Sequence, residues 1–192
     1  MKSKSVMCLL GTVLLMASSQ FATAATNFTA SLTGDQEVNP VVTNASGTAT
    51  LTLNDLQNSL SMTISLTGLD LDGNQTPGDD SDNVTGLHIH AAPAGLNGGV
   101  VFGLISPNND LDGDLVIDPV AGTLTSVWDG LEGNGTTLAD QLANLLSEGL
   151  YFNVHTVGHA PGEIRGQIVP EPMSLSLLGL GGLALLRKRR QV

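Results

Sequence analysis

The residues of this chain best suited to chemistry are its histidines, His88, His90, His155 and His159. In Leu87-His88-Ile89-His90-Ala91, strand alternation turns Leu87, Ile89 and Ala91 to one face and both imidazoles to the other. In Tyr151-Phe152-Asn153-Val154-His155, Phe152 and Val154 face away from Tyr151, Asn153 and His155. From Glu163 to Ile168, Ile164 and Ile168 face a core while Glu163, Arg165 and Gln167 face out. Three strands thus each offer a polar row, and side-by-side pairing would merge the rows into one cluster.

Two chemistries fit that cluster. One is a hydrogen-bonded network of His88, His90, Asn153 and Arg165 that ties three strands together, with Arg165 paired to Glu163 or to Asp35 and Glu37. The other is a three-nitrogen metal site on His88, His90 and His155. Imidazoles at i and i+2 of a strand point the same way, and imidazole suits copper or zinc. The network comes first as an expectation, because polar strand rows are commoner than ligand sets. His159 falls in the turn Gly158-His159-Ala160-Pro161 and is read as solvated.

Carboxylates form a second group. Asp70-Leu-Asp72-Gly-Asn74, Asp79-Asp80-Ser-Asp82, and Asp110-Leu-Asp112-Gly-Asp114 followed by Asp118 are dense enough in oxygen to hold calcium. Neither Asp-x-Asp run is an EF-hand, since its glycine falls at position four and not six. The alternative is that Asp, Asn and Gly simply build turns. That alternative leads for residues 70–82, and the two readings stand level for 110–118. A nucleophile constellation is missing: there is no Gly-x-Ser-x-Gly, and the sole cysteine is Cys8. Aromatics suited to stacking on sugars are scarce, with Trp128 and Tyr151 the only polar ones.

The elements that must position these groups read as strands. Residues 28–32, 48–53 and 60–67 alternate apolar residues with Thr and Ser, the mark of antiparallel strands with one buried side. Further strands are expected at 84–92, 99–105, 121–128, 150–156 and 162–169. About eight short strands separated by Gly- and Asp-rich turns predict an all-β Greek-key sandwich or barrel. One helix is expected over 137–148, with Thr137 as N-cap, Asp140 three residues on, a stripe of Leu138, Leu142, Leu145 and Leu146, and Gly149 at the stop.

The ends read as addresses. Lys2 and Lys4, an apolar stretch from Val6 to Ala17 and Ala22-Thr23-Ala24 make a signal peptide over residues 1–24. At the other end, Val169-Pro170-Glu171-Pro172 precedes an apolar run from Met173 to Leu186 and then Arg187-Lys188-Arg189-Arg190. Pro170 and Pro172 are expected to end the preceding strand, having no N–H for a ladder. The apolar run is a membrane helix with its cations on the cytoplasmic side. Between the ends, residues 25–169 fit one domain. Six of the seven cations lie in the two terminal segments, so the domain has Arg165 against seventeen acids, a formal charge of −16. That excludes nucleic acid as a partner, because phosphate binding needs Lys and Arg.

Three resemblances follow from these residues. The blocks Phe28 to Glu37, Gly86 to Gly99, Tyr151 to Thr156 and Pro161 to Ile168 resemble the CHRD domain, named from chordin and widespread in bacterial extracellular proteins. This resemblance covers about residues 27–169 and implies an immunoglobulin-like sandwich or barrel. The tail from Pro170 to Arg190 resembles the PEP-CTERM sorting signal of Gram-negative bacteria that make exopolysaccharide. It implies processing by an exosortase and a transient hold in the membrane. The His-x-His strand with a later histidine is similar to copper/zinc superoxide dismutase. That similarity implies a redox metal on His88, His90 and His155, with Arg165 guiding an anion.

The expected function is a secreted, envelope- or surface-directed sandwich that binds or supports the extracellular matrix without catalysis, with exopolysaccharide or matrix proteins as partners. A copper or zinc protein is the runner-up.

Overall fold

The structure is a computed structural model and describes residues 25–171. Ten strands and one α-helix, with a 3-10 turn at Gly34–Gln36 between the first two strands, follow in the order β1 (Thr26–Leu32), β2 (Ser46–Leu53), β3 (Ser59–Thr67), β4 (Val84–Ala91), β5 (Gly99–Ile105), β6 (Val116–Asp118), β7 (Thr123–Asp129), α1 (Leu138–Leu146), β8 (Leu150–Thr156), β9 (Ile164–Gln167) and β10 (Val169–Pro170). They form two antiparallel sheets, β10-β1-β2-β3-β7-β6 and β5-β4-β8-β9. The chain is an all-β sandwich.

The six-stranded sheet is built as its sequence dictates. Strand β2 alternates exposed and buried residues without a break, and β3 does so along nearly all its length. Leu51, Leu53, Leu60, Met62 and Ile64 enter the core, while Thr and Ser line the outer face in register, as in Thr29↔Thr50, Thr50↔Thr63 and Thr63↔Thr125. β-branched threonine suits a half-wet pleat.

The four-stranded sheet behaves differently. In β8 every residue except His155 is buried, so both faces of the strand are covered. The inner face supplies Phe152 and Val154 to the core beside Leu87, Ile89, Phe102 and Trp128. The outer face is roofed by the segments after β1, β4, β5 and β8. The expectation that Glu163 and Arg165 face solvent is therefore corrected: they are 5% and 1% exposed.

Strand ends also depart from expectation. The run 162–169 divides at Ile168, whose N–H bonds Leu150 O, so that β9 lies in one sheet and β10 in the other. Pro170 does not end the strand. It pairs with Phe28 at the edge of the larger sheet, where a missing N–H costs nothing, and Glu171 N continues to Asn27 O. Strand β6 has no period-two signature because all three of its residues are exposed.

Helix α1 carries the expected capping box between Thr137 and Asp140. Leu138 and Leu145 are buried, but Leu146 is 45% exposed and leaves the stripe. The left-handed residue after the helix is Glu148 (φ 59°), one position before the expected Gly149. The signal peptide, Pro172, the apolar run 173–186 and Arg187, Lys188, Arg189 and Arg190 lie outside the described residues. Among the described residues no helix is long and apolar enough to cross a membrane.

Candidate metal centre

Strand register sets the site. On the outer face of the smaller sheet, His88 pairs with Asn153 and Asn153 with Arg165, while His90 pairs with Tyr151 and Tyr151 with Gln167. Gly86 pairs with His155, and a register shift follows Val84 there. A side chain at Gly86 would put its Cβ 2.9 Å from the His88 ring and 3.4 Å from His155, so glycine leaves room for both imidazoles. The His88 and His155 ring centroids are 5.0 Å apart, His88 and His90 5.5 Å, and His90 and His155 6.2 Å. One nitrogen from each of the three lies within 4.8 Å of the others.

Each ring is fixed by its second nitrogen. His88 Nε2 bonds Ser106 O at 2.7 Å, His90 Nδ1 bonds Gly98 O at 2.9 Å and His155 Nδ1 bonds Ala160 O at 2.9 Å. A carbonyl can only accept, so each of these nitrogens carries an N–H, and in the neutral tautomer the other nitrogen carries a lone pair. Those lone-pair nitrogens, His88 Nδ1, His90 Nε2 and His155 Nε2, are buried without a hydrogen-bond partner. Among the described residues the only other buried side-chain atom in that condition is Asn153 Oδ1, in the same row. Buried polar atoms are nearly always satisfied, so four orphans in one cluster call for a physical cause.

Electrostatics favour the neutral ring at His88 and His90. Burial depresses the pKa of His88, partly offset by its bond to Ser106 and deepened by His155. Burial likewise depresses His90; the Gly98 carbonyl opposes this, and His88, His155 and Arg165 add to it.

The expected network of His88, His90, Asn153 and Arg165 does not form, because none of these side chains bonds another. Each instead anchors a covering segment. Asn153 Nδ2 donates to Glu37 at 2.8 Å, and burial raises the Glu37 carboxyl despite that bond and the Arg165 charge. Glu163 accepts from Thr43 and Thr156, both at 2.6 Å. Arg165 donates to Leu96 O, Pro93 O, Asn97 Oδ1 and Gln167 Oε1, not to Glu163, Asp35 or Glu37. At 1% exposure it cannot guide an anion from solvent. His159 lies outside the cluster, in the turn closed by Gly162 N to His159 O.

The roof was not legible residue by residue. Ser106, Gly98 and Ala160 act through backbone carbonyls, which leave no trace in side-chain type. Gly98 carries one usable signal, a glycine in a Gly-Gly pair: a Cβ there would sit 1.9 Å from Ala91 O.

In the aspartate loops carboxylates accept backbone N–H groups of their own segments. Asp110 Oδ1 accepts from the N–H groups of Asp112, Gly113 and Asp114, and Oδ2 from Leu115 N. Asp114 Oδ1 accepts from Val127 N and Ser126. Asp110, Asp112 and Asp114 come together, but Asp118 is not with them and caps Ala121 N instead. Asp70 likewise receives the N–H groups of Asp72, Gly73, Gln75 and Thr76, which hold its carboxyl well below the usual range although burial opposes this.

No curated protein matches the chain. The family model of the CHRD domain matches residues 28–168, a span that holds the three histidines, the segments that roof them and both sheets except β10 and the first two residues of β1, and the chain belongs to the CHRD family.

Proposed function

We propose that this domain is an exported metal-binding module that holds copper or zinc on His88 Nδ1, His90 Nε2 and His155 Nε2. The observation that carries the reading is the conjunction at these residues. Three imidazoles are each pinned by a backbone carbonyl, and their three free nitrogens are buried, unpartnered and within 4.8 Å of one another. Histidine ligands to metals characteristically donate their other N–H to an outer acceptor, which fixes the tautomer and raises ligand basicity. Three nitrogens fill three of the four positions of a tetrahedral site and leave one for a ligand from outside.

The module works by binding, not catalysis, at the cell envelope, at the surface or in the matrix of a Gram-negative bacterium. The sequence features that support this address are the signal peptide over residues 1–24 and the Pro170-Glu171-Pro172 tail, which an exosortase-type enzyme would process. Exopolysaccharide or matrix proteins are the proposed neighbours, and the sandwich is of the immunoglobulin-like kind.

The test is metal content by mass spectrometry on protein purified without a His tag, beside a His88→Ala/His155→Ala double variant. Near-stoichiometric copper or zinc that vanishes in the variant is the expected result. A wild type that stays metal-free when both are offered ends the reading.

A further inference from the structure

Arg165 is the single cation between residues 25 and 169, it is 1% exposed, and none of its four acceptors is a carboxylate. A buried charge is ordinarily paired. Here the guanidinium instead lies on an aromatic face, its carbon 3.4 Å from the Tyr151 ring centroid. Tyr151 in turn stacks on His90, with centroids 5.0 Å apart and planes 13° from parallel. His90 comes from the strand on one side of β8 and Arg165 from the strand on the other, so the Tyr151 ring lies between them.

The same arginine grips the segment that fixes His90. Its bonds to Pro93 O, Leu96 O and Asn97 Oδ1 hold the loop that ends at Gly98. Gly98 O accepts the hydrogen bond from His90 Nδ1, and Gly98 N donates to the Tyr151 hydroxyl at 3.1 Å. One residue therefore acts on His90 along two routes, through the loop and through the ring.

We propose that Arg165 is the positioning residue of this metal centre: it locks the loop that orients His90, and its charge, hydrogen-bonded to no carboxylate and set behind the Tyr151 ring that stacks on His90, tilts the centre toward copper(I) over copper(II). This rests on the metal reading above. The physical reason is that a nearby positive charge penalises a doubly charged ion more than a singly charged one. One unit charge held on the order of 10 Å away, at an effective dielectric near 20, changes the affinity ratio about tenfold. For a one-electron couple that is about 59 mV.

The experiment uses the full protein, untagged, with copper as the probe. Copper(I) and copper(II) affinities come from chelator competition and the potential from voltammetry. Arg165→Met is expected to lose affinity about 10- to 100-fold, the scale for removing an outer-shell support, and to lower the potential by about 59 mV. Tyr151→Phe keeps the ring and the charge but loses the Gly98 bond, so it weakens both copper ions alike and leaves the potential in place. Asn97→Asp puts a carboxylate on Arg165 at an existing contact and lowers the potential even if Arg165→Met fails to fold. Unchanged affinity in Tyr151→Phe, or an unchanged potential in Asn97→Asp, overturns the proposal. A wild type that binds no copper at all instead sinks the metal reading, so the two failures are distinguishable.

Discussion

Changing Gly98 to alanine should disable the centre without touching a ligand. The new Cβ would lie 1.9 Å from Ala91 O and 2.5 Å from Ala91 C, both backbone atoms that cannot swing away. Clearing that overlap moves the Gly98 peptide by about 1 Å, which takes bonds of 2.9 Å to His90 and 3.1 Å to Tyr151 past hydrogen-bonding distance. Two lost bonds cost about 1–3 kcal/mol of stability, and loss of the carbonyl that fixes His90 costs about 10- to 100-fold in metal affinity. Urea unfolding of the metal-free protein reads the first quantity and competition with a zinc chelator the second. The neighbouring Gly99→Ala is the control, since no atom lies within 4 Å of its added Cβ. A Gly98→Ala protein with the zinc affinity of the Gly99→Ala control would refute the reasoning that the carbonyl orients the ligand.

Other outcomes follow from the same geometry. Zinc or copper at about a hundred times its dissociation constant adds about 2.7 kcal/mol to folding, a rise of about 5–11 °C in Tm that is absent in the His88→Ala/His155→Ala variant. Thr137→Ala removes the capping box of α1 and costs about 1 kcal/mol, read as a lower urea midpoint with or without metal. His88 and His90 have folded pKa values depressed below 6.5, so on acidification the unfolded chain protonates first. Their contribution is complete above about pH 6.5 and drains as pH falls through the folded values. The metal-free protein should accordingly lose urea midpoint as pH falls below about 6.5, and His88→Gln/His90→Gln should flatten that limb.

The centre of the larger sheet was written in the sequence because one physical pattern governs it: Leu, Ile and Met inward, Thr and Ser outward, period two throughout β2 and β3. The smaller sheet obeys the same alternation, so the polar row was legible from His88, His90, Tyr151, Asn153 and His155. Its burial was not. A wet face and a roofed face both read as polar, and the roof is made of loops whose contributions are carbonyls. The clue lay in residue type, since the larger sheet spends threonine on its outer face where the smaller one spends histidine, asparagine and arginine. Arg165 was misplaced for the same reason: a cation on a strand reads as solvated, and the Tyr151 ring together with acceptors on Pro93, Leu96, Asn97 and Gln167 explains its burial. Strand β6 and the edge pairing of Pro170 depend on long-range contacts that local pattern does not encode.

The most direct test of the metal assignment is a crystal structure of the zinc- or copper-loaded protein with anomalous data collected at the metal edge. A single peak about 2.0–2.1 Å from His88 Nδ1, His90 Nε2 and His155 Nε2 is the predicted result. An empty cluster in crystals that bind the metal elsewhere, for example at Asp110, Asp112 and Asp114, would contradict it.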